Sequence, residues 1–218
     1  MDKRKKYNKS LSLYNESIQS VRTNIELGNL NDKNKIIAIT SSKPSEGKTT
    51  VLYDLAKSFA KNGHKVIILD CNLRMPNLKE ICNIDSNIGI TDIILKNAEI
   101  NKAIIKDNED NLYILPSGSI LENPTQMLSS DNFKDLISKM SDDFDYVFID
   151  TPPVGIFTDA AIISTLCDGV ILTVKSKDTT KDEVSLAVNN LKKVNANILG
   201  AILTFSDVVY ETYKKCLK

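Results

Sequence analysis

The 218-residue sequence predicts an α/β fold, in which a doubly wound, mostly parallel sheet carries helices on both faces. Five apolar, β-branched runs of four to six residues lack clean alternation, which is typical of strands buried on both faces of a parallel sheet. Segments of helical period separate them, as in right-handed βαβ units. The predicted strands are residues 35–40, 65–69, 146–149, 169–174 and 198–203.

Helices are predicted where apolar residues recur three or four positions apart. Those within the alternating series are residues 49–61, 131–140 and 183–194. A further helical pattern at residues 13–27 precedes the first strand, so it is an additional element. Residues 72–123 break the alternation, with one short helix near residues 91–96 and one strand at residues 111–115. Such a long insertion is where substrate-facing loops are expected.

Composition and charge argue against several classes of protein. Apolar residues make up 42% of the chain, and 28 basic side chains balance 28 acidic ones, so net charge gives no reason to expect a nucleic-acid partner. No apolar run approaches the roughly 18 residues that cross a bilayer. No signal peptide is evident either, and a cytoplasmic location is predicted. Four cysteines without a CxxC spacing and a single histidine, His64, argue against a metal cluster, a disulfide framework or a histidine-based triad.

A phosphate-binding loop is predicted directly after the first strand. Residues 40–50 read Thr-Ser-Ser-Lys-Pro-Ser-Glu-Gly-Lys-Thr-Thr, and a helix follows. Gly-Lys-Thr between a buried strand and a helix is typical of loops that bind nucleotide phosphates. Backbone N–H groups there can converge on phosphate oxygens at the positive end of the helix. The predicted ATP-binding residues are Ser45, Glu46, Gly47, Lys48, Thr49 and Thr50.

Individual roles follow from the side chains of this loop. Gly47 lets the main chain approach the phosphates without a Cβ in the way. Lys48 can reach the β and γ oxygens, and the Thr49 hydroxyl suits Mg²⁺. Thr50 is placed to donate to the α-phosphate. The strict consensus would have a glycine at Ser42, so the loop departs from it there.

Two acidic residues end neighbouring predicted strands. Because the carboxyl ends of parallel strands lie along one edge of a sheet, Asp70 and Asp150 are expected beside the phosphate loop. Asp150 would hold Mg²⁺ or its water. Asp70 could orient or deprotonate a nucleophile. The alternative for each is an ordinary turn former or helix cap.

These residues resemble the bacterial tyrosine kinases of polysaccharide assembly (BY-kinases), P-loop ATPases of the deviant Walker A type. Residues 40–50 match their Thr-Ser-x-x-Pro-x-x-Gly-Lys-[Ser/Thr]-Thr loop, including Pro44. Residues 70–76, Asp-Cys-Asn-Leu-Arg-Met-Pro, are similar to the family's Asp-x-Asp-x-Arg-x-Pro (A′) motif. Residues 150–153, Asp-Thr-Pro-Pro, match its Asp-x-Pro-Pro motif.

The resemblance implies a kinase that autophosphorylates on tyrosine and regulates the synthesis and export of capsular or extracellular polysaccharide. ATP and Mg²⁺ would be its cofactors. It implies Asp70 as general base, with Lys48 and Asp150 as the other catalytic residues. The implied metal-site residues are Thr49, Asp70, Asn72 and Asp150. Asn72 stands where the family motif has a second Asp.

The resemblance also implies partners. The kinase would form ring-like homo-oligomers, act with a tyrosine phosphatase, and lie at the inner face of the membrane through a membrane-anchored adaptor of the chain-length-regulator type. Residues 16–22 resemble the family's Glu-x-x-Arg-x-x-Arg oligomerisation element through Glu16, Gln19 and Arg22, with Gln19 replacing an Arg. Tyr210 and Tyr213 are the candidate phosphoacceptors in the tail.

Three segments are accordingly predicted: residues 1–30 as a basic arm and oligomerisation-type helix, 31–206 as the ATP-binding kinase domain, and 207–218 as the tyrosine tail. Two alternatives stay open. One is a nucleotide-switched positioning ATPase, similar to partition and division-site ATPases, which carry a lysine five residues before the P-loop lysine, where Lys43 stands here. The other is a catalytically weak nucleotide-binding scaffold, favoured by Asn72 and the sparse tyrosines of the tail.

Overall fold

The computed structural model describes residues 3–28 and 35–206, with residues 3–11 as helix backbone only. Its strands are β1 (Ile36–Ser41), β2 (Val66–Asp70), β3 (Ile105–Lys106), β4 (Leu112–Leu115), β5 (Tyr146–Asp150), β6 (Gly169–Lys175) and β7 (Ile198–Thr204). They form one sheet in the order β3-β4-β2-β5-β1-β6-β7. The edge strand β3 runs antiparallel to β4, and the other pairings are parallel. Each strand that the sequence predicted is present, and both of its ends lie within one residue of the predicted positions.

The helices are α1 (Lys3–Gly28), α2 (Lys48–Lys61), α3 (Leu78–Cys82), α4 (Ile90–Lys96), α5 (Ile100–Ala103), α6 (Thr125–Leu128), α7 (Asp131–Asp143), α8 (Asp159–Ser164) and α9 (Lys181–Lys193). The long predicted helices are confirmed. The prediction of a single short helix within residues 72–123 is wrong, because α3, α4 and α5 all lie there. Helices of four or five residues contain too few apolar positions to show a period.

Two apolar layers cover the sheet, one on each face. Successive strand residues point to opposite faces, so Ile37 packs into one layer and Ala38 into the other. The first layer receives the apolar sides of α1 and α2, where the ring of Phe59 lies 5.3 Å from that of Phe148 between centroids. The second receives α7, α8 and α9. This confirms the doubly wound α/β fold.

Along the described chain, none of the helices is both long enough and apolar enough to cross a bilayer. The longest, α1, buries Ile18 and Ile25 among its described side chains, residues 12–28, and packs them against the apolar side of α2.

The register of the central strands brings three chain segments to one edge of the sheet. Asp150 at the end of β5 lies opposite Ile39 of β1 on one side and Asp70 of β2 on the other. The loop that follows β1 therefore begins beside both carboxylates, as the sequence predicted.

Candidate active site

The phosphate loop has the backbone conformation of an anion-binding concavity. Ser45 and Gly47 both adopt left-handed conformations, with φ of 61° and 78°. Alternation of hand in successive residues turns their N–H groups toward a common point. Gly47 also directly precedes α2. Its carbonyl oxygen accepts a hydrogen bond from the Val51 N–H (3.0 Å), as in the first turn of a helix. The N–H groups of the first helical turn thus face the same concavity.

Glu46 holds this loop in place through its buried side chain. Its Oε2 accepts the N–H groups of Ser42 (2.8 Å) and Lys43 (3.3 Å), and its Oε1 accepts the Thr179 hydroxyl. The Thr204 hydroxyl donates to the Glu46 carbonyl oxygen (2.9 Å). The carboxylate of Glu46 is therefore used inside the protein, which leaves its backbone N–H for the predicted role in phosphate binding.

Lys48, the first residue of α2, is buried at the mouth of the loop, with 7% of its surface exposed. Burial lowers the pKa of its ammonium group, and the carboxylates of Asp150 and Glu46 act in the opposite direction. A lysine held this way beside a ring of backbone N–H groups is suited to bind an anion.

Asp70 and Asp150 lie side by side, and neither is exposed to solvent. Burial raises the pKa of Asp150 to about 6, against the opposing effects of Lys48 and of the Thr49 hydroxyl, which donates to Asp150 Oδ2 (2.7 Å). Burial and then the charge of Asp150 raise the pKa of Asp70 well above its ordinary value. Two buried like charges are costly unless a positive group joins them.

Unsatisfied oxygens mark where a cation would bind. Asp70 Oδ2, Asp150 Oδ1 and Asn72 Oδ1 are buried without a hydrogen-bond partner in the described chain. Asn72 Nδ2 donates to the Met75 carbonyl (2.7 Å), so the amide presents its oxygen. No group of three His, Cys, Asp or Glu side chains among the described residues could hold a metal. The hard oxygen donors present instead fit Mg²⁺, which takes one or two carboxylates and completes its shell with phosphate and water.

Arg74 makes a contact that the sequence did not predict. Its Nε donates to Asp159 Oδ2 (2.6 Å) and its Nη2 to Asp159 Oδ1 (2.9 Å), while its guanidinium lies 4.6 Å from the centre of the Phe157 ring. Asp159 is fully buried. The bidentate pair joins the loop after β2 to the start of α8, and so fixes the loop that carries Asn72. Arg74 lies in the A′-like segment of residues 70–76, but nothing in the sequence pairs it with Asp159, 85 positions further along the chain.

The sequence also gave no indication that Asn77 belongs to the site. Its Oδ1 lies 2.9 Å from the Thr49 hydroxyl oxygen, which places the amide beside the proposed metal site. An asparagine after an irregular loop gives no sequence signal for such a role.

The predicted oligomerisation residues lie on α1, which packs against α2. Glu16 and Gln19 are exposed. Arg22 instead turns toward α2, where its Nη1 donates to the Ser58 carbonyl (3.2 Å). Its Nε lies 3.7 Å from Oε2 of Glu26, one turn further along α1. The candidate acceptors Tyr210 and Tyr213 lie outside the described residues.

The fold and this site define the class as a P-loop nucleotide-binding protein. A family model described as an AAA domain matches residues 34–203. The kinase domain of the Escherichia coli tyrosine kinase ETK superposes with a TM-score of 0.83 at 28% identity, over 87% of this chain and 74% of that one. The Pyrococcus furiosus cell division ATPase MinD gives 0.67 at 26% identity, over 83% and 80%.

In sequence, the tyrosine-protein kinase CpsD of Streptococcus pneumoniae serotype 4 is 36% identical over 199 residues, which are 91% of this chain and 87% of that protein. The chain belongs to this family, the bacterial tyrosine kinases of polysaccharide assembly. The predicted family, fold class and enzyme class are confirmed.

Proposed function

We propose that this chain transfers the γ-phosphoryl group of Mg·ATP to tyrosine, first on copies of itself, and thereby regulates capsular or extracellular polysaccharide production. One observation carries the proposal: Lys48 and Thr49 at the start of α2 share a buried site with Asp70 and Asp150. Phosphoryl transfer needs positioning and charge neutralisation at one point, and this group offers both.

The residue roles follow from their atoms. The loop N–H groups and Lys48 would bind and orient the phosphates. Thr49, Asp150 and Asn72, with Asp70, would hold Mg²⁺, which when bound supplies neutralising charge to the transferred group. The carboxylate of Asp70, whose pKa is raised by burial and by the charge of Asp150, would accept the proton of the attacking tyrosine hydroxyl.

The proposed partners are a second copy of the chain, a membrane-anchored adaptor that brings this kinase to the inner face of the membrane, and a tyrosine phosphatase. Exposed Glu16 and Gln19 on α1 support the self-association. The proposed acceptors, Tyr210 and Tyr213, would enter the site of a neighbouring copy. The three proposed segments are residues 1–30, 31–206 and 207–218.

Lys43 bears on the alternative of a positioning ATPase. Its Nζ donates to the Asp178 carbonyl (3.0 Å) and lies 3.4 Å from both Asp178 Oδ2 and Glu183 Oε1. The lysine is thus engaged by its own chain, beside the start of α9. This favours the kinase over a switch in which that lysine contacts nucleotide.

Incubation of the full chain with Mg·ATP, followed by phosphosite mapping, tests the proposal. We expect label on tyrosine, and Lys48→Ala should reduce it at least about 100-fold because one charge donor to the transferred group is lost. Lys61→Ala is the matched control, since that side chain is 63% exposed at the other end of the same helix. Release of phosphate without labelled tyrosine would support the positioning ATPase, and binding of ATP without turnover would support the scaffold.

The acceptor assignment has its own test. The double variant Tyr210→Phe, Tyr213→Phe should lose most autophosphorylation and should bind ATP as the wild type does. Undiminished tyrosine labelling in the double variant would place the acceptors elsewhere in the chain.

A further inference from the structure

Tyr14 on α1 is a tyrosine that none of the roles above uses. Its surface is 37% exposed, which makes it the most exposed of the tyrosines whose side chains the structure describes. A kinase that acts on copies of itself reaches exposed tyrosines most readily, because the hydroxyl must enter the attacking position. Among the described tyrosines, Tyr14 is therefore the best placed to be an acceptor.

The Tyr14 hydroxyl connects α1 to α2. It donates to Oδ2 of Asp54 at 2.6 Å, across 40 positions of the sequence. Burial, and then the hydrogen bond to Asp54, raise the pKa of the Tyr14 hydroxyl. While this contact is made the hydroxyl is engaged, so phosphorylation requires that the start of the α1–α2 contact open first.

Tyr14 lies on the side of α1 that packs against α2. Ile18, Val21 and Ile25 follow it at helical spacing and belong to the same apolar layer as α2. The exposed Glu16, in contrast, lies about 200° around the helix axis from Tyr14. The proposed self-association residue and the Tyr14 contact are thus on different sides of α1, and assembly through one side leaves the other uncovered.

A phosphate on Tyr14 would replace an attractive contact with a repulsive one. It removes the proton that Asp54 accepts and brings ~1.5–2 negative charges beside that carboxylate. Arg22, the arginine of α1 whose side chain is described, lies two turns further along the helix and already donates to the Ser58 carbonyl. A phosphate placed beside a carboxylate opens a contact, whereas one placed beside free arginines strengthens it.

We propose that Tyr14 is a phosphorylation site of this kinase, and that its phosphorylation releases the start of α1 from α2. A second copy of the chain transfers the γ-phosphoryl group of ATP to the Tyr14 phenolic oxygen. The bond between the γ-phosphorus and the bridging oxygen breaks, ADP leaves with that oxygen, and the phenolic proton passes to Asp70 of the acting copy. This inference rests on the proposed function, because it takes the transfer to tyrosine from it.

The modification would persist once made. Phosphate on Tyr14 opposes renewed contact with Asp54, so α1 stays released until a tyrosine phosphatase removes the group.

Phosphosite mapping of the full chain after incubation with Mg·ATP tests the site. We expect label on Tyr14 in the wild type and its loss in Lys48→Ala. Asp54→Ala frees the hydroxyl and should raise the Tyr14 label about threefold or more, the effect of one lost hydrogen bond, with labelling of the tail unchanged. Asp110→Ala is the matched control, because that carboxylate is 90% exposed and pairs with Lys106.

Tyr53 gives a contrast within the same sample. Its hydroxyl also donates to a carboxylate, that of Asp107 (2.9 Å). Its ring is half-buried and belongs to α2, which packs directly on the sheet. Tyr53 should therefore stay unlabelled while Tyr14 is labelled, and equal labelling of the two would overturn the assignment.

Hydrogen exchange tests the release without any need for kinase activity. Phosphotyrosine can be incorporated at position 14 during synthesis of the full chain. The amides of residues 12–28 should then exchange at least about tenfold faster than in the unmodified chain, because repulsion at the contact opens α1 locally. The amides of β1 and β5 should exchange as before.

The outcomes are distinguishable. Label on the tail but not on Tyr14, in both the wild type and Asp54→Ala, overturns the site and leaves the proposed function standing. Absence of label from every tyrosine overturns the proposed function and self-phosphorylation of Tyr14 with it. Label on Tyr14 that persists in Lys48→Ala would come from another kinase and overturns self-phosphorylation. Exchange in α1 that phosphate on Tyr14 leaves unchanged overturns the release.

Discussion

On the β2 and β5 side of the phosphate loop the protein buries two carboxylates, whereas on the β6 and β7 side it exposes an aromatic ring. Asp70 and Asp150 have no solvent exposure and each retains an oxygen without a hydrogen-bond partner in the described chain. The side chain of Phe205, in contrast, is 67% exposed. The preceding residue, Thr204, is hydrogen-bonded to the carbonyl of Glu46 and to the N–H of Ser176.

The two sides should differ in how ligand binding affects the stability of the fold. Buried like charges raise the free energy of the ligand-free fold, so a cation that joins them contributes to both binding and stability. An exposed ring costs the fold little, and its contribution appears only in affinity. Variants on the two sides should therefore differ in whether stability and binding change together.

Asp70→Asn should have the largest effect. Loss of the proposed base is expected to reduce tyrosine labelling at least about 100-fold. The same change removes one of two adjacent buried charges, so the ligand-free variant should melt higher than the wild type, by ~2–4 °C for each kcal/mol relieved. Thermal unfolding with and without Mg²⁺ measures this, and added Mg²⁺ should narrow the gap. A lower melting temperature without metal would contradict the description of the pair as mutually repelling.

Arg74→Ala should destabilise the protein by about 2 kcal/mol, because it leaves the buried carboxylate of Asp159 without its bidentate partner. Arg74→Lys should recover only part of this, since an ammonium group cannot reproduce the two parallel bonds. Denaturant unfolding of Arg74→Ala, Asp159→Asn and the double variant gives the coupling between the two residues. Additive effects would show that the pair does not act as a unit.

Asn72→Asp should lower the Mg²⁺ concentration needed for half-maximal labelling by several-fold, because a carboxylate replaces an amide oxygen at the metal site. It should also destabilise the metal-free protein by placing a third negative charge beside two buried ones. Titration of Mg²⁺ in the labelling assay is the measurement. An unchanged Mg²⁺ requirement would remove position 72 from the metal's surroundings.

Lys43→Ala should have the smallest effect. Its ion pairs with Asp178 and Glu183 are partly exposed and screened by solvent, so little stability should be lost, and tyrosine labelling should stay within about twofold. A loss of ATP turnover comparable to that of Lys48→Ala would instead assign Lys43 to the nucleotide, as the positioning-ATPase alternative requires.

The sequence by itself determined the sheet and the identity of the site residues. Strands buried on both faces must be apolar throughout, so β1, β2, β5 and β6 could be predicted to within one residue of their ends. The Gly47-Lys48-Thr49 core and the strand-ending Asp70 and Asp150 follow from the same pattern, because parallel strands share a carboxyl edge.

Only the tertiary structure decided which distant groups meet. The Arg74–Asp159 pair, the contacts of Glu46 with Thr179 and Thr204, and the position of Phe205 beside Gly47 join residues 85 to 158 positions apart. Periodicity reports which face a residue occupies within its own element, and it carries no information on partners in another element. The order of the strands sets those partners, and it placed the buried charges on one side of the phosphate loop and the exposed ring on the other.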